Sequence, residues 1–129
     1  MRDTADQLVT LGIIGLGYTG RQHLGAAAVL PQVRVTAAAE SNPTSRASAP
    51  ADLEVYSNWQ DLLADADIGA VSLCLPHCLH AEVALAALEA GKPLLIEKPL
   101  AGTLAEARRI AEAAAATGRV VMVEMTHRF

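Results

Sequence analysis

Glu97 and Lys98 stand side by side at the end of a short apolar run, Leu94-Leu95-Ile96, and Pro99 follows at once. An amine and a carboxylate at such a place can polarise an oxygen or carry a proton. The run reads as a strand, and Pro99 removes a backbone donor where strand pairing would have to stop. Open α/β sheets bind ligands outside the carboxyl ends of their strands. The alternative is an exposed ion pair, which contributes little to stability. Other residues have to decide between the two.

Gly15-Leu16-Gly17-Tyr18-Thr19-Gly20 fits G-x-G-x-x-G, after an apolar run and before a helical pattern, which is the context that motif requires. Gly15 would permit the tight turn and Gly17 the approach of a pyrophosphate, while Gly20 would let helix and strand pack closely. The phosphate charge would then face a helix N-terminus. Glu40 lies twenty residues past Gly20, at the end of the second strand candidate. A carboxylate there can accept from a ribose 2′-hydroxyl, which favours NAD. NADP stays open, because Ser41 and Arg46 follow closely and can bind a 2′-phosphate if Glu40 turns away.

Positioning such residues takes alternating elements. Val9 to Gly15, Val33 to Glu40, Val55-Tyr56, Ala70 to Leu75, Leu94 to Glu97 and Val120 to Met125 read as strands. Between them, His23 to Leu30, Ser57 to about Ala64, Ala81 to Leu88 and Thr103 to about Gly118 read as helices, with at most a short helix in Ser41 to Pro50. Ser57 with Gln60 and Thr103 with Glu106 fit capping boxes, and Gly91 is a plausible helix stop. Strand-helix alternation predicts right-handed crossovers and a Rossmann-type, doubly wound α/β fold, its mostly parallel sheet sandwiched in three layers.

With 129 residues the chain is expected to form one domain, residues 1–129. Only Tyr18, Tyr56, Trp59 and Phe129 are aromatic, so the interior has to be built from Ala, Val, Leu and Ile. A net charge of −4 without a basic run argues against a nucleic-acid surface and for a small-molecule partner. The polar start Met1 to Gln7 and the glycine-broken run after it fit neither a signal nor a membrane segment, so a cytoplasmic protein with no membrane partner is expected. Cys74 and Cys78 are expected to be reduced. Cys74, His77, Cys78 and His80 offer four zinc-ligand types within seven residues. A buried strand followed by Pro76 does not let them converge tetrahedrally, so no metal is expected, and Cys74 reads as a small core residue. His23 reads as a packing or surface residue, and His80 as either a helix start or a loop residue beside a ligand.

Gly15 to Gly20, Leu75-Pro76-His77 with His80, Ala87 to Pro93, Glu97-Lys98-Pro99 and His127-Arg128-Phe129 together resemble one family. From about Thr10 to Phe129 the chain is similar to the N-terminal halves of the glucose-fructose oxidoreductase, inositol dehydrogenase and MocA (Gfo/Idh/MocA) oxidoreductases. The resemblance implies a dinucleotide, NAD or NADP, held by Gly15, Leu16, Gly17, Tyr18, Thr19, Gly20, Glu40, Ser41, Leu75, Pro76, His77, His80, Glu97, Lys98 and Arg128. It implies hydride transfer with a secondary alcohol of a sugar, polyol or cyclitol, with Lys98 as catalytic residue and Glu97 helping to place it. Family members continue into a second domain that supplies most of the substrate pocket and usually the oligomer surface, and this chain is expected to lack that domain. A stand-alone dinucleotide-binding or regulatory module, or a split-enzyme subunit, is therefore the alternative reading. A sheet face that such a domain would cover leads to an expectation of self-association as a homo-oligomer.

Overall fold

The computed structural model describes residues 7–128; Met1–Asp6 and Phe129, which carry most of the polar start and the end of the His-Arg-Phe segment, lie outside the described residues. The apolar runs become six strands: β1 (Val9–Ile14), β2 (Val33–Ala39), β3 (Glu54–Tyr56), β4 (Ala70–Leu73), β5 (Leu94–Glu97) and β6 (Val121–Glu124). Five helices connect them: α1 (Tyr18–Ala27), α2 (Pro43–Ala47), α3 (Trp59–Ala64), α4 (His80–Glu89) and α5 (Leu104–Thr117). All pairings are parallel, in the order β3-β2-β1-β4-β5-β6. The chain builds outward from β1 to β3, then returns to start β4 on the other side of β1. That reversal leaves a crevice at the carboxyl ends of β1 and β4. The expected Rossmann-type single α/β unit is what the chain forms.

Helix ends follow local chemistry. Thr103 accepts from the Glu106 N–H while Glu106 reaches back to the Thr103 N–H, completing the capping box before α5. Gly91 and Gly118, with φ of +75° and +65°, carry the chain out of α4 and α5. Two boundaries differ from expectation. Asn58, not Ser57, caps α3, its side chain accepting from the Asp61 N–H at 2.8 Å; Asn is as good a cap as Ser, and it sits one residue nearer the helix. α1 begins at Tyr18 rather than near His23, because the last half of the glycine motif is already its first turn.

One side of the sheet carries the larger core. There Ile14, Leu62, Leu73, Val83, Leu88, Ile96 and Ile110 are all but fully buried among α3, α4 and α5. Each such side chain contributes about 1.5–3 kcal/mol on burial. The other core is small, Ile13, Leu16 and Ala38 beneath α1 and the loop after α2. Alanines at 37–39 let elements approach closely on both sides. Lys92 is buried, and its Nζ donates to the Asp65 and Ile68 carbonyls at 2.9 and 2.7 Å, tying the α4–β5 turn to the end of α3. Burial pushes its pKa down, partly offset by Asp65. No helix among the described residues is long and apolar enough to cross a membrane.

Candidate dinucleotide site

At the β1 end of the crevice the site is made of backbone. Gly15 sits at φ +95°, and a Cβ there would strike the Cys74 carbonyl; a Cβ at Gly20 would strike the Gly15 carbonyl. Only glycines let β1, β4 and α1 meet this closely. A Cβ at Gly17, by contrast, would meet nothing within 4 Å, so the turn is open to solvent where a ligand would approach. Gly17 is the N-cap of α1, with no side-chain cap and no acidic residue in the first turn. The first amides of this helix therefore have no side-chain acceptor from within its own first turn. Tyr18 and Thr19 belong to that first turn; Tyr18 is exposed and its hydroxyl accepts from Gln22.

Glu40 closes the turn from the side. Its carboxylate accepts from the Leu16 N–H at 2.8 Å and from the Asn42 N–H at 2.8 Å. Arg46 donates to the Glu40 carbonyl at 2.8 Å, so its guanidinium faces the backbone, and Ser41 is exposed beside it. A groove of about 290 Å³ runs from Gly15 and Glu40 past Ser41 to Trp59, Leu75 and Leu79. Its wall at Ser57 to Gln60 carried no signal in the sequence beyond a helix cap. The only tryptophan of the chain thus stands in the crevice.

At the β5 end the site is made of side chains. Lys98 is exposed at the tip and makes no ion pair among the described residues, whereas Glu97 turns to His23, accepting from Nε2 at 2.9 Å. The Glu97–Lys98 surface pair considered from sequence is therefore not formed. His23, expected to be a packing or surface residue, instead joins four elements. From α1 it meets Ser72 Oγ of β4 through Nδ1 at 2.7 Å, Glu97 of β5, and Glu124 of β6 at 3.4 Å. Its pKa is pushed up to about 9, first by the nearby Cys74 side chain, against burial, and then by Glu97 and Glu124. Burial and the Glu124 carboxylate raise Glu97, while the hydrogen bond with Glu97 lowers Glu124. Nothing in the sequence marked this set, whose members span residues 23 to 124.

The remaining candidates divide. Pro76 and His77 are exposed, His77 in a short 3-10 turn leading into α4. His80 is 1% exposed, and its ring bridges the Leu75 and Pro99 carbonyls. Arg128 is exposed in a 3-10 turn, Thr126–Arg128, after β6. Among the described residues, Cys74, His77, Cys78 and His80 do not gather as a donor set; His23, Glu97 and Glu124 do, with ligand atoms within 4.8 Å of one another.

Known proteins share this fold. Residues 9–125 match Gfo/Idh/MocA, an oxidoreductase family with an NAD-binding Rossmann fold. The chain belongs to that family. It is 35% identical to levoglucosan dehydrogenase from Pseudarthrobacter phenanthrenivorans, over 95% of this chain and 34% of that enzyme. Scyllo-inositol dehydrogenase from Lactobacillus casei, solved with NAD(H) and scyllo-inositol bound, superposes with a TM-score of 0.87 at 26% identity, covering 95% of this chain and 38% of that one. A 3-ketoreductase from Actinomadura kijaniata, a lysine-to-alanine mutant in complex with NADP, gives 0.83 at 31% identity, covering 92% and 38%. The Gfo/Idh/MocA chain described here thus spans little more than a third of each protein. It is the family's NAD-binding Rossmann unit, and its relatives act on cyclitols and sugars.

Proposed function

We propose that these residues bind the dinucleotide for hydride transfer between nicotinamide and a secondary alcohol of a cyclitol, sugar or related polyol. The observation that carries this is the crevice: an open glycine turn braced by Glu40 at one end and an exposed Lys98 at the other. The adenosine half would lie in the groove against Trp59, its ribose on Glu40 and its pyrophosphate on Gly15 to Gly20. Glu40 supports NAD over NADP. Lys98 would stand beside the reacting alcohol, polarising its oxygen or taking its proton. Leu75, Pro76, His77 and Arg128 would border the cofactor, and Ser41 the ribose. A second domain would supply the substrate walls.

Titrating NADH and NADPH while following Trp59 emission tests the binding step. Saturable quenching, stronger for NADH, is expected; its absence at millimolar cofactor defeats the proposal. Assaying NAD-dependent oxidation of inositols and levoglucosan then tests turnover. Binding without turnover would assign the 129 residues the binding step alone, as in a stand-alone module.

A further inference from the structure

The ladder between β4 and β5 ends with Leu73 opposite Ile96. Beyond it the chain leaves in two loops, one through Leu75-Pro76 and the other through Lys98-Pro99, and these form the far end of the crevice. One buried ring spans them. His80, the first residue of α4, places Nε2 at 2.9 Å from the Leu75 carbonyl and Nδ1 at 2.8 Å from the Pro99 carbonyl, with 1% of its surface exposed. Carbonyl oxygens only accept, so whichever ring nitrogen carries hydrogen donates to the carbonyl it faces. An aliphatic residue here would leave the Leu75 and Pro99 carbonyls without this ring as a partner.

We propose that His80 is a positioning residue: its buried ring, lying between the Leu75 and Pro99 carbonyls, fixes the separation of the Leu75-Pro76 and Lys98-Pro99 loops and so the width of the nicotinamide end of the cleft. The ring does not itself reach a ligand. It acts through the two loops, and its effect should fall on the nicotinamide half of a dinucleotide and spare the adenosine half, which rests on β1, β2 and the glycine turn. The assignment of halves rests on the function proposed above.

ADP-ribose, which keeps the adenosine half and the pyrophosphate but lacks nicotinamide, separates positioning from mere support. In the 129-residue chain, His80→Leu should weaken NADH about fivefold or more while changing ADP-ribose less than about twofold, and His80→Gln, which keeps amide donors, should recover most of the loss. Val83→Ala, a core change one turn along α4, supplies a control for lost stability and should leave the NADH to ADP-ribose ratio unchanged. Equal weakening of both ligands by His80→Gln or His80→Leu, or none by either, overturns the proposal. Nuclear magnetic resonance of the ¹⁵N-histidine-labelled wild type tests the clasp without any ligand: a ring N–H signal from His80 protected from exchange is expected, and rapid exchange of every ring hydrogen overturns it. Failure of the wild type to bind NADH would instead strike the proposed function, leaving the ring signals to judge the clasp.

Discussion

The two ends of the crevice are held by different means. At the β1–β2 end, backbone meets backbone: Gly15 lies on the Cys74 carbonyl, Gly20 on the Gly15 carbonyl, and the one prominent side chain, Glu40, accepts from two backbone amides. At the β4–β6 end, side chains hold side chains and loops, through His23 with Ser72, Glu97 and Glu124, and through His80 with two carbonyls. A backbone-made site tolerates no change where atoms already touch, but asks little of its other side chains. A site made of side chains can be retuned by charge and pH.

The sharpest test of this contrast is Gly20→Ala, whose new methyl would meet backbone that cannot yield. A loss of about 3 kcal/mol or more in chemical denaturation is expected, and stability near that of the wild type would show that the β1 end is not rigid. Glu40→Ala should follow, lowering NADH affinity about tenfold in fluorescence titration and moving the preference toward NADPH. An unchanged cofactor ratio would deny Glu40 its part in selection.

At the other end, pH should matter through His23. Its folded pKa, about 9, lies above its ordinary 6.5, so its contribution to stability is fully present below 6.5 and lost as pH rises through 9. The melting temperatures of the wild type and His23→Gln should therefore differ most on the acidic side of that window and converge above it. A difference that does not vary with pH would mean that His23 acts by packing alone. Smallest of all, Lys98→Ala should change stability by less than about 0.5 kcal/mol, since the amine is exposed and has no ion-pair partner among the described residues. A larger change would place Lys98 in the side-chain network and not at its free tip.

The same contrast explains what could be read in advance. The glycine turn, Glu40, strand β5 and the Thr103 capping box each depend on residues close together in the chain, or on a fixed spacing set by one strand-helix-strand unit. They were legible for that reason. The His23 set was not: 49 residues separate His23 from Ser72 and 101 from Glu124, and no local pattern signals a contact made only by the crossover from β3 to β4. Lys92 and Lys98 show the limit from another side. Both precede a proline, yet one is buried on two carbonyls and the other exposed, a difference decided by whether α3 ends nearby. Trp59 was readable as helix but not as crevice wall, because only the sheet order brings the start of α3 beside the glycine turn.

Glu40 has a consequence for the rate of binding. Its two oxygens are held by the Leu16 and Asn42 N–H groups of the protein itself, yet a carboxylate keeps further lone pairs for a ribose hydroxyl. The loop need not fold around an arriving dinucleotide, nor surrender a bond to receive it. Association at this end should then proceed as a single encounter, its speed linear in cofactor concentration, with no slower rearrangement trailing behind.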